Sequence, residues 1–324
     1  MRINRIVNIK GWQERRKYQV GYGTRDKVVL KQSKMGKVYF IAKTYENNIG
    51  ELRSEVCAST IGRLYNFPVQ KTWLCEIPNH AKLKLKHKLG VLIQLDVRRQ
   101  RYTKRNQFRE NLIHGLALIS SVDKNFGKAS LAERRRLYTL DIVIKALRNY
   151  TKNKPLAKSL WDDFFKLMCF DALIGGTDRH YNNWGILEKA DDESFLRLSP
   201  AFDNGVSLLW NMDIIRQQFV RDLFTRGYEK KAKSCLRKSN RDKYTLYEIL
   251  EELYSIPEYK NSTIVENIIS DLNNVGDGFL SNSLTRNIPK NTVFQTNTTE
   301  LNLLAEYVRI RKELLLNKLY SLRK

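Results

Sequence analysis

The segment Gly175-Gly-Thr-Asp-Arg-His-Tyr-Asn-Asn-Trp184 places a carboxylate, Asp178, five positions before an amide, Asn183, between an apolar helical stretch and a strand. Phosphoryl transfer needs a carboxylate that orients the attacking hydroxyl and accepts its proton, with an oxygen ligand for Mg²⁺ held close by. An Asp and an Asn at this spacing, on a loop between helix and strand, suit that work. A second carboxylate, Asp203, lies in Leu198-Ser-Pro-Ala-Phe-Asp-Asn-Gly205. The residues between the two read as a hairpin, strands Trp184 to Leu187 and Phe195 to Leu198, and a hairpin brings its ends together. Asp203 is therefore expected beside Asn183 as a Mg²⁺ ligand, with Gly205 permitting the turn after it.

A third group of residues lies nearer the N-terminus. Lys43 ends the apolar run Val38 to Lys43 and is placed to reach the α and β phosphates of ATP from a sheet. Glu55, on the helix that follows, is a partner for it, and Glu51, one turn earlier, competes for that role. Gly21, Gly23 and Thr24, with Arg25 and Lys27, form a turn whose backbone N–H groups could cradle phosphate. The run is neither a Walker A sequence nor a full G-x-G-x-x-G. Adenine is expected against the backbone of Ile93 to Leu95.

These residues need a scaffold of two kinds. Up to Leu95 the pattern is strands and turns around one helix, from about Gly50 to Tyr65, whose positions Val56, Cys57, Ile61, Leu64 and Tyr65 mark one buried face. Val69 to Leu74 and Gly90 to Leu95 read as further strands. From Leu112 onward the pattern is mostly helical. Leu131 to Tyr150 reads as one amphipathic helix, and Leu160 to Ile174 is apolar nearly all round, the mark of a buried helix. The basic stretch Arg226 to Lys243 and the polar loop Asn282 to Thr299 interrupt a helical C-terminal region that ends in a helix over Leu301 to Leu322. The expected fold is α+β and two-lobed: residues 1–95 a small β-rich phosphate-binding lobe, residues 96–324 a larger, mainly helical lobe with the catalytic loop and metal site.

Composition limits the function classes. With 58 Lys and Arg against 34 Asp and Glu, the net charge of +24 favours polyanions such as nucleotides, nucleic acid, acidic membrane surfaces or acidic proteins, or else is solvated surface. Cys57, Cys75, Cys169 and Cys235 are too dispersed for a zinc knuckle or a disulfide framework. No run of apolar residues is long enough to span a bilayer, and the N-terminal residues lack the apolar segment of a secretory signal. Synthesis in the cytoplasm is the expectation, with export by a signal-independent route left open. His180 reads as a neutral loop histidine and Asp171 as a structural carboxylate on a buried helix. Arg179 reads equally as a phosphate contact or as the partner of an acid.

Taken together the motifs resemble the HipA-like serine/threonine kinases. Gly23-Thr-Arg-Asp-Lys27 is similar to their phosphate loop, Ala42-Lys43 to their ATP lysine and Ser54-Glu55 to the Glu of the next helix. Thr177-Asp-Arg-His-Tyr-Asn-Asn183 and Pro200-Ala-Phe-Asp-Asn-Gly205 resemble their catalytic and metal-binding motifs. The resemblance implies a kinase-like fold, ATP, Mg²⁺, transfer to Ser or Thr of a protein substrate, autophosphorylation and, for some such kinases, delivery into host cells. It implies no stable nucleic-acid partner, while an acidic partner or surface stays open. The helical tail after residue 210 matches no motif of the family, and the extra N-terminal subdomain of the longer toxins is not expected. Two other readings remain: a phosphoinositide kinase, since Asp178-Arg-His-x-x-Asn183 also resembles the lipid-kinase loop, and a basic nucleic-acid-binding protein on a kinase scaffold without turnover.

Overall fold

The computed structural model describes residues 5–14, 27–31, 39–44, 49–78, 81, 83, 85, 87–95, 110–152, 157–189, 192–211, 232–238, 242–260, 262–291, 294 and 296–323. The chain divides into two compact units. The first comprises residues 1–96, 203–218 and 275–309; the second comprises 97–202, 219–274 and 310–324. The N-terminal part is β-rich and the C-terminal part mainly helical, the mixed class that the residue pattern predicts.

In the first unit a six-stranded sheet has the order β1-β5-β6-β4-β3-β2, from β1 (Val7–Asn8), β2 (Gln13–Glu14), β3 (Lys27–Lys31), β4 (Tyr39–Thr44), β5 (Thr72–Glu76) and β6 (Leu89–Gln94). All neighbours are antiparallel except β1 and β5. One face closes over Trp12, Phe40 and Trp73, whose rings meet edge-on at 5.1 and 6.2 Å, in the geometry aromatic quadrupoles favour. The two-residue strands β1 and β2 escape a periodicity reading because they are too short to show alternation. The strand expected over 69–74 runs instead over Thr72–Glu76, where Thr72 N–H is held by the Ser59 hydroxyl at 3.1 Å.

Helix α1 (Ile49–Leu64) departs from the expected single buried face: every residue from Gly50 to Gly62 is buried, polar ones included. Buried polar groups need partners. Ser59 donates to Gln70 O at 2.7 Å and Thr60 to Val56 O at 3.0 Å. The remaining partners form part of the site below. Helix α9 (Asp277–Asn287) in this unit covers the first part of a segment expected to be a loop.

The second unit holds a three-stranded sheet, β7 (Glu110–His114), β8 (Gly185–Lys189) and β9 (Asp192–Leu198), antiparallel throughout. The β8–β9 hairpin is the predicted one; β7 falls in a region read as helical. Its backbone approaches β8 so closely that a Cβ on Gly185 would sit 2.5 Å from Ile113 O. Helix α2 (Gly115–Val122) begins directly after β7, which hides the short period-2 stretch. It is followed by α3 (Lys124–Lys128), α4 (Leu131–Leu137), α5 (Leu140–Thr151) and α6 (Ala157–Ile174). The helix expected over 131–150 is therefore two helices. Tyr138 leaves helical geometry to put its hydroxyl in the core, and Thr139 restarts the helix as N-cap, accepting from Ile142 N.

The aromatic residues of α6 are core, as expected: Phe164 packs on Trp184 at 5.4 Å and Phe165 on Tyr259 at 5.2 Å. Inside the basic stretch lies a hairpin, β10 (Lys233–Arg237) with β11 (Lys243–Thr245). Helices α7 (Glu248–Tyr254), α8 (Ile264–Asn273) and α10 (Thr298–Leu322) complete the described helices, the last contributing residues to both units. Among the described residues no helix is long and apolar enough to cross a membrane.

Candidate functional site

In the first unit, strand β4 carries Lys43 at its buried end and α1 carries Glu55 opposite it. Lys43 Nζ lies 2.5 Å from Asp203 Oδ1 and 3.7 Å from Glu55 Oε1. Burial alone would pull the Lys43 ammonium down, but Asp203, Glu55 and the weaker field of Glu51 outweigh it, so the lysine is held charged above its usual value. Glu55 thus makes the ion pair that the spacing left open between it and Glu51. Its other oxygen accepts the backbone N–H of Asn204 at 3.0 Å.

Three consecutive residues of α1 hold the chain around Asp203. Besides Glu55, Ser54 donates to Ser207 O at 2.7 Å, and Arg53 reaches Leu209 O at 3.4 Å while pairing with buried Glu300 at 3.1 Å. That grip supports an uncommon backbone. Asp203, Leu208 and Leu209 have φ of 57°, 50° and 59°, a region that costs non-glycine residues energy and is tolerated where surroundings enforce it. The left-handed conformation sits on Asp203 itself, two positions before Gly205. Lys27 faces Lys43 directly across β3 and β4. Burial, and then the neighbouring Lys43 charge, push its ammonium below the usual value. Gly21, Gly23, Thr24 and Arg25 lie outside the described residues.

Ile93 and Leu95 sit at and just beyond the end of β6, Ile93 in the core. The N–H of Gln94 donates to Lys71 O at 2.8 Å and that of Leu95 to Tyr39 O at 2.9 Å. Neither amide donor is left for a base.

In the second unit, α6 ends at Ile174 and Gly175 turns the chain with φ 67°. A Cβ on Gly176 would meet Asp171 Oδ1 at 2.9 Å, so the turn is packed against that carboxylate. The loop that follows closes on itself: His180 N–H donates to Asp178 O, Asn183 N–H to His180 O, and Asn183 Nδ2 to Asp178 O, each at 2.8 Å. Because a carbonyl can only accept, the atom facing it is the Asn183 amide nitrogen, and Oδ1 points the other way. Among the described residues no donor reaches that oxygen. His180 Nδ1 accepts from Asn182 N at 3.2 Å, the behaviour of a neutral histidine bracing a loop.

Arg179 is the clamp of this half. Its Nε and Nη2 bind Asp171 Oδ2 and Oδ1 at 3.0 and 2.7 Å, a bidentate fork. Its Nη1 donates to Asn183 O at 2.9 Å and to Phe202 O at 2.6 Å, and Phe202 is the residue bonded to Asp203. Its alternative role as a phosphate contact is ruled out by this burial. Tyr138 OH donates to Arg179 O at 3.2 Å and accepts from Trp184 Nε1 at 2.9 Å. Asp178 itself is half-buried, and the thiol of Cys235 on β10 lies 3.2 Å from Thr177 O and 3.8 Å from Asp178 Oδ1. Burial first, and then Asp178, push that thiol up to about 12, so at neutral pH it carries its proton and donates.

Each half suits one part of a nucleotide–metal reaction. Mg²⁺ takes oxygen ligands, few of them carboxylates when phosphates supply the others. Asn183 Oδ1 and the Asp203 carboxylate, whose side chain is 43% exposed, are such donors. Among the described residues no cluster of three His, Cys, Asp or Glu side chains is gathered for a metal. The clamp of Arg179 and Asp171, and the Cys235 contact, were not assigned from the sequence. The first had a signal, an arginine inside the motif and an acid on a buried helix; the second had none.

A family model of the HipA-like C-terminal domain matches residues 21–273. The chain is similar along 98% of its length to the crystal structure of a Helicobacter pylori proinflammatory kinase, CtkA, covering 98% of that chain with a TM-score of 0.68 at 18% identity. At that identity the likeness shows the fold, a kinase-like scaffold. A weaker match is HipA of Shewanella oneidensis MR-1, solved with HipB and operator DNA: TM-score 0.49, 11% identity, 88% of this chain and 58% of that one. No curated protein matches by sequence.

Proposed function

The chain belongs to the HipA-like C-terminal domain family, and from that premise we propose that it is an ATP- and Mg²⁺-dependent protein serine/threonine kinase. The observation that carries the reading is the buried, charged Lys43 held between Glu55 of α1 and Asp203, a residue 160 positions away. A lysine kept ionised by two acids is prepared to bind phosphate, since an anion replaces one acid without loss of its countercharge.

ATP is the phosphoryl donor in this scheme. Mg²⁺, when bound, neutralises charge on the phosphate oxygens. Lys43 binds the α and β phosphates, with Lys27 beside it as a second cation. Asn183 Oδ1 and the Asp203 carboxylate are the oxygens that would hold the metal. Asp178 orients the acceptor hydroxyl and takes its proton as the acceptor oxygen bonds to phosphorus and the bond to ADP breaks. Adenine rests on the 93–95 stretch by packing and through carbonyl oxygens, because the N–H groups of 94 and 95 are committed. Autophosphorylation on Ser or Thr is part of the proposal.

The test is incubation of the purified chain with Mg²⁺ and γ-labelled ATP, alone, with Ser/Thr peptides and with anionic liposomes. Label on protein or peptide supports the reading, and label on lipid alone would replace it with a lipid kinase. Loss of a general base costs about 10²–10⁴-fold. Asp178→Ala is expected to lower transfer at least ~10²-fold while ATP binding, followed by calorimetry, is kept; undiminished turnover would remove Asp178 from its role.

A further inference from the structure

Strand β10 bears the thiol that touches the Asp178 loop, and its neighbours on that face are cations. Residues two apart along a strand share a face. Lys233, Cys235 and Arg237 keep that alternation in their burial, exposed or half-buried while Ser234 and Leu236 between them are buried, although a bulge interrupts the register between Lys233 and Arg237. With Cys235 Sγ at 3.2 Å from Thr177 O and 3.8 Å from Asp178 Oδ1, this face adjoins the carboxylate assigned to the acceptor hydroxyl. Lys233 and Arg237 stand on either side of Cys235 in the chain, across a bulge that sets Lys233 opposite Thr245 and Arg237 opposite Lys243.

Further cations adjoin it. Lys243 is the direct partner of Arg237 across the hairpin, a like-charge opposition that weakens a sheet pair. Arg237 Nε donates to Arg135 O at 2.8 Å, which places the end of α4 with its exposed Arg135 and Arg136 at the same strand. The acids of the hairpin lie toward its turn: Asp242, whose carbonyl receives Lys238 N–H, and Glu248, which pairs with Lys238 at 2.6 Å. Lys233–Arg237 contain no acid.

We propose that this strand face seats the residues flanking the acceptor, and that the protein substrate presents its Ser or Thr within an acidic segment. Side chains on either side of the acceptor in an extended substrate then come near Lys233 and Arg237. Asp, Glu or phosphorylated residues at those positions meet complementary charge. The inference rests on the kinase reading and names its substrate class.

The experiment uses the full chain and three fluorescein-labelled Ser peptides that differ only at the positions two before and two after Ser: Glu, Ala or Lys. Binding is followed by anisotropy and transfer by γ-labelled ATP, for wild type, Asp178→Ala, the double variant Lys233→Glu/Lys243→Glu, and Lys290→Glu, which alters an exposed lysine of the other unit. The Glu peptide is expected to bind and react about tenfold better than the Ala peptide at low salt, the advantage shrinking as salt screens it. The double variant should lose or invert that preference, and Lys290→Glu should keep it. Equal use of the three peptides, or equal loss in Lys290→Glu, overturns the proposal while leaving kinase activity standing. A charge preference in binding that depends on Lys233 and Lys243, with no transfer above Asp178→Ala, keeps the acidic-segment surface and removes the kinase reading instead.

Discussion

The groups around Lys43 and the groups around Asp178 are held in place by different forces. In the first unit the side chains proposed to meet phosphate and metal bind each other: Lys43 to Asp203 and Glu55, with Asp203 on a left-handed backbone. In the second unit other residues fix the frame around Asp178 and Asn183, and Asp178 Oδ1 meets the Cys235 thiol at 3.8 Å. Arg179, Asp171, Tyr138 and Trp184 satisfy the loop's carbonyls and each other, so Asn183 Oδ1 keeps its direction with no donor on it among the described residues. A cation that must take up phosphate can be kept ready by exchangeable acids. A base and a metal ligand must be aimed before anything binds, which calls for a frame that does not exchange.

The sharpest way to break this contrast is at Arg179. Arg179→Met strands Asp171, a carboxylate 1% exposed, and removes the donor to Asn183 O and Phe202 O. Taking one partner from a buried pair costs about 3–5 kcal/mol. A drop of that size in denaturant-derived stability is expected, with loss of phosphotransfer. If the variant is as stable as wild type, the second half is not the rigid one.

Glu55→Gln probes the other half and should cost less. The Gln carbonyl oxygen still accepts from Asn204 N, and Lys43 keeps Asp203; what goes is an ion pair at 3.7 Å. About 1 kcal/mol is expected, the net scale of one polar contact, together with weaker ATP binding by calorimetry. A loss equal to that of Arg179→Met would erase the difference between the halves.

The same contrast explains what the residue order revealed. Asp178 and Asn183 share one short loop, and Asp203 follows a hairpin whose apolar runs and acidic turn are local signals, so these were legible. So was the pairing of a strand-end lysine with the next helix. Arg53 and Glu300 lie 247 positions apart, and Cys235 lies 57 beyond Asp178; no spacing announces such meetings. Tyr138 breaks a helix because its hydroxyl has buried partners supplied by Arg179 and Trp184, information absent from the 131–150 periodicity. The left-handed φ of Asp203 has no local signal, because propensity assigns that region to glycine, whereas here tertiary bonds from Arg53, Ser54 and Glu55 hold the chain around a residue that is not glycine.

The smallest expected effect tests whether the frame of the second half extends to the hairpin that carries Cys235. At its far end Glu248 accepts from Thr245 N at 2.7 Å and pairs with Lys238 at 2.6 Å. Burial pushes the Glu248 carboxyl up, but the bonds from Lys238 and Thr245 outweigh it and bring it down to about 2. A carboxyl depressed on folding contributes stability that is fully present above its unfolded value of 4.5 and is lost as pH falls through about 2. Since Glu248 is largely exposed, the loss should be local. Between pH 4.5 and 2 the Thr245 amide should lose hydrogen-exchange protection while the amides of Asn183 and His180, held by backbone carbonyls, keep theirs until global acid unfolding. Lys238→Ala should move the Glu248 titration, followed by carboxyl NMR, back toward 4.5. A Glu248 that titrates near 4.5 in wild type would mean that the hairpin end is not tied down, and that the fixed frame around Asp178 stops short of it.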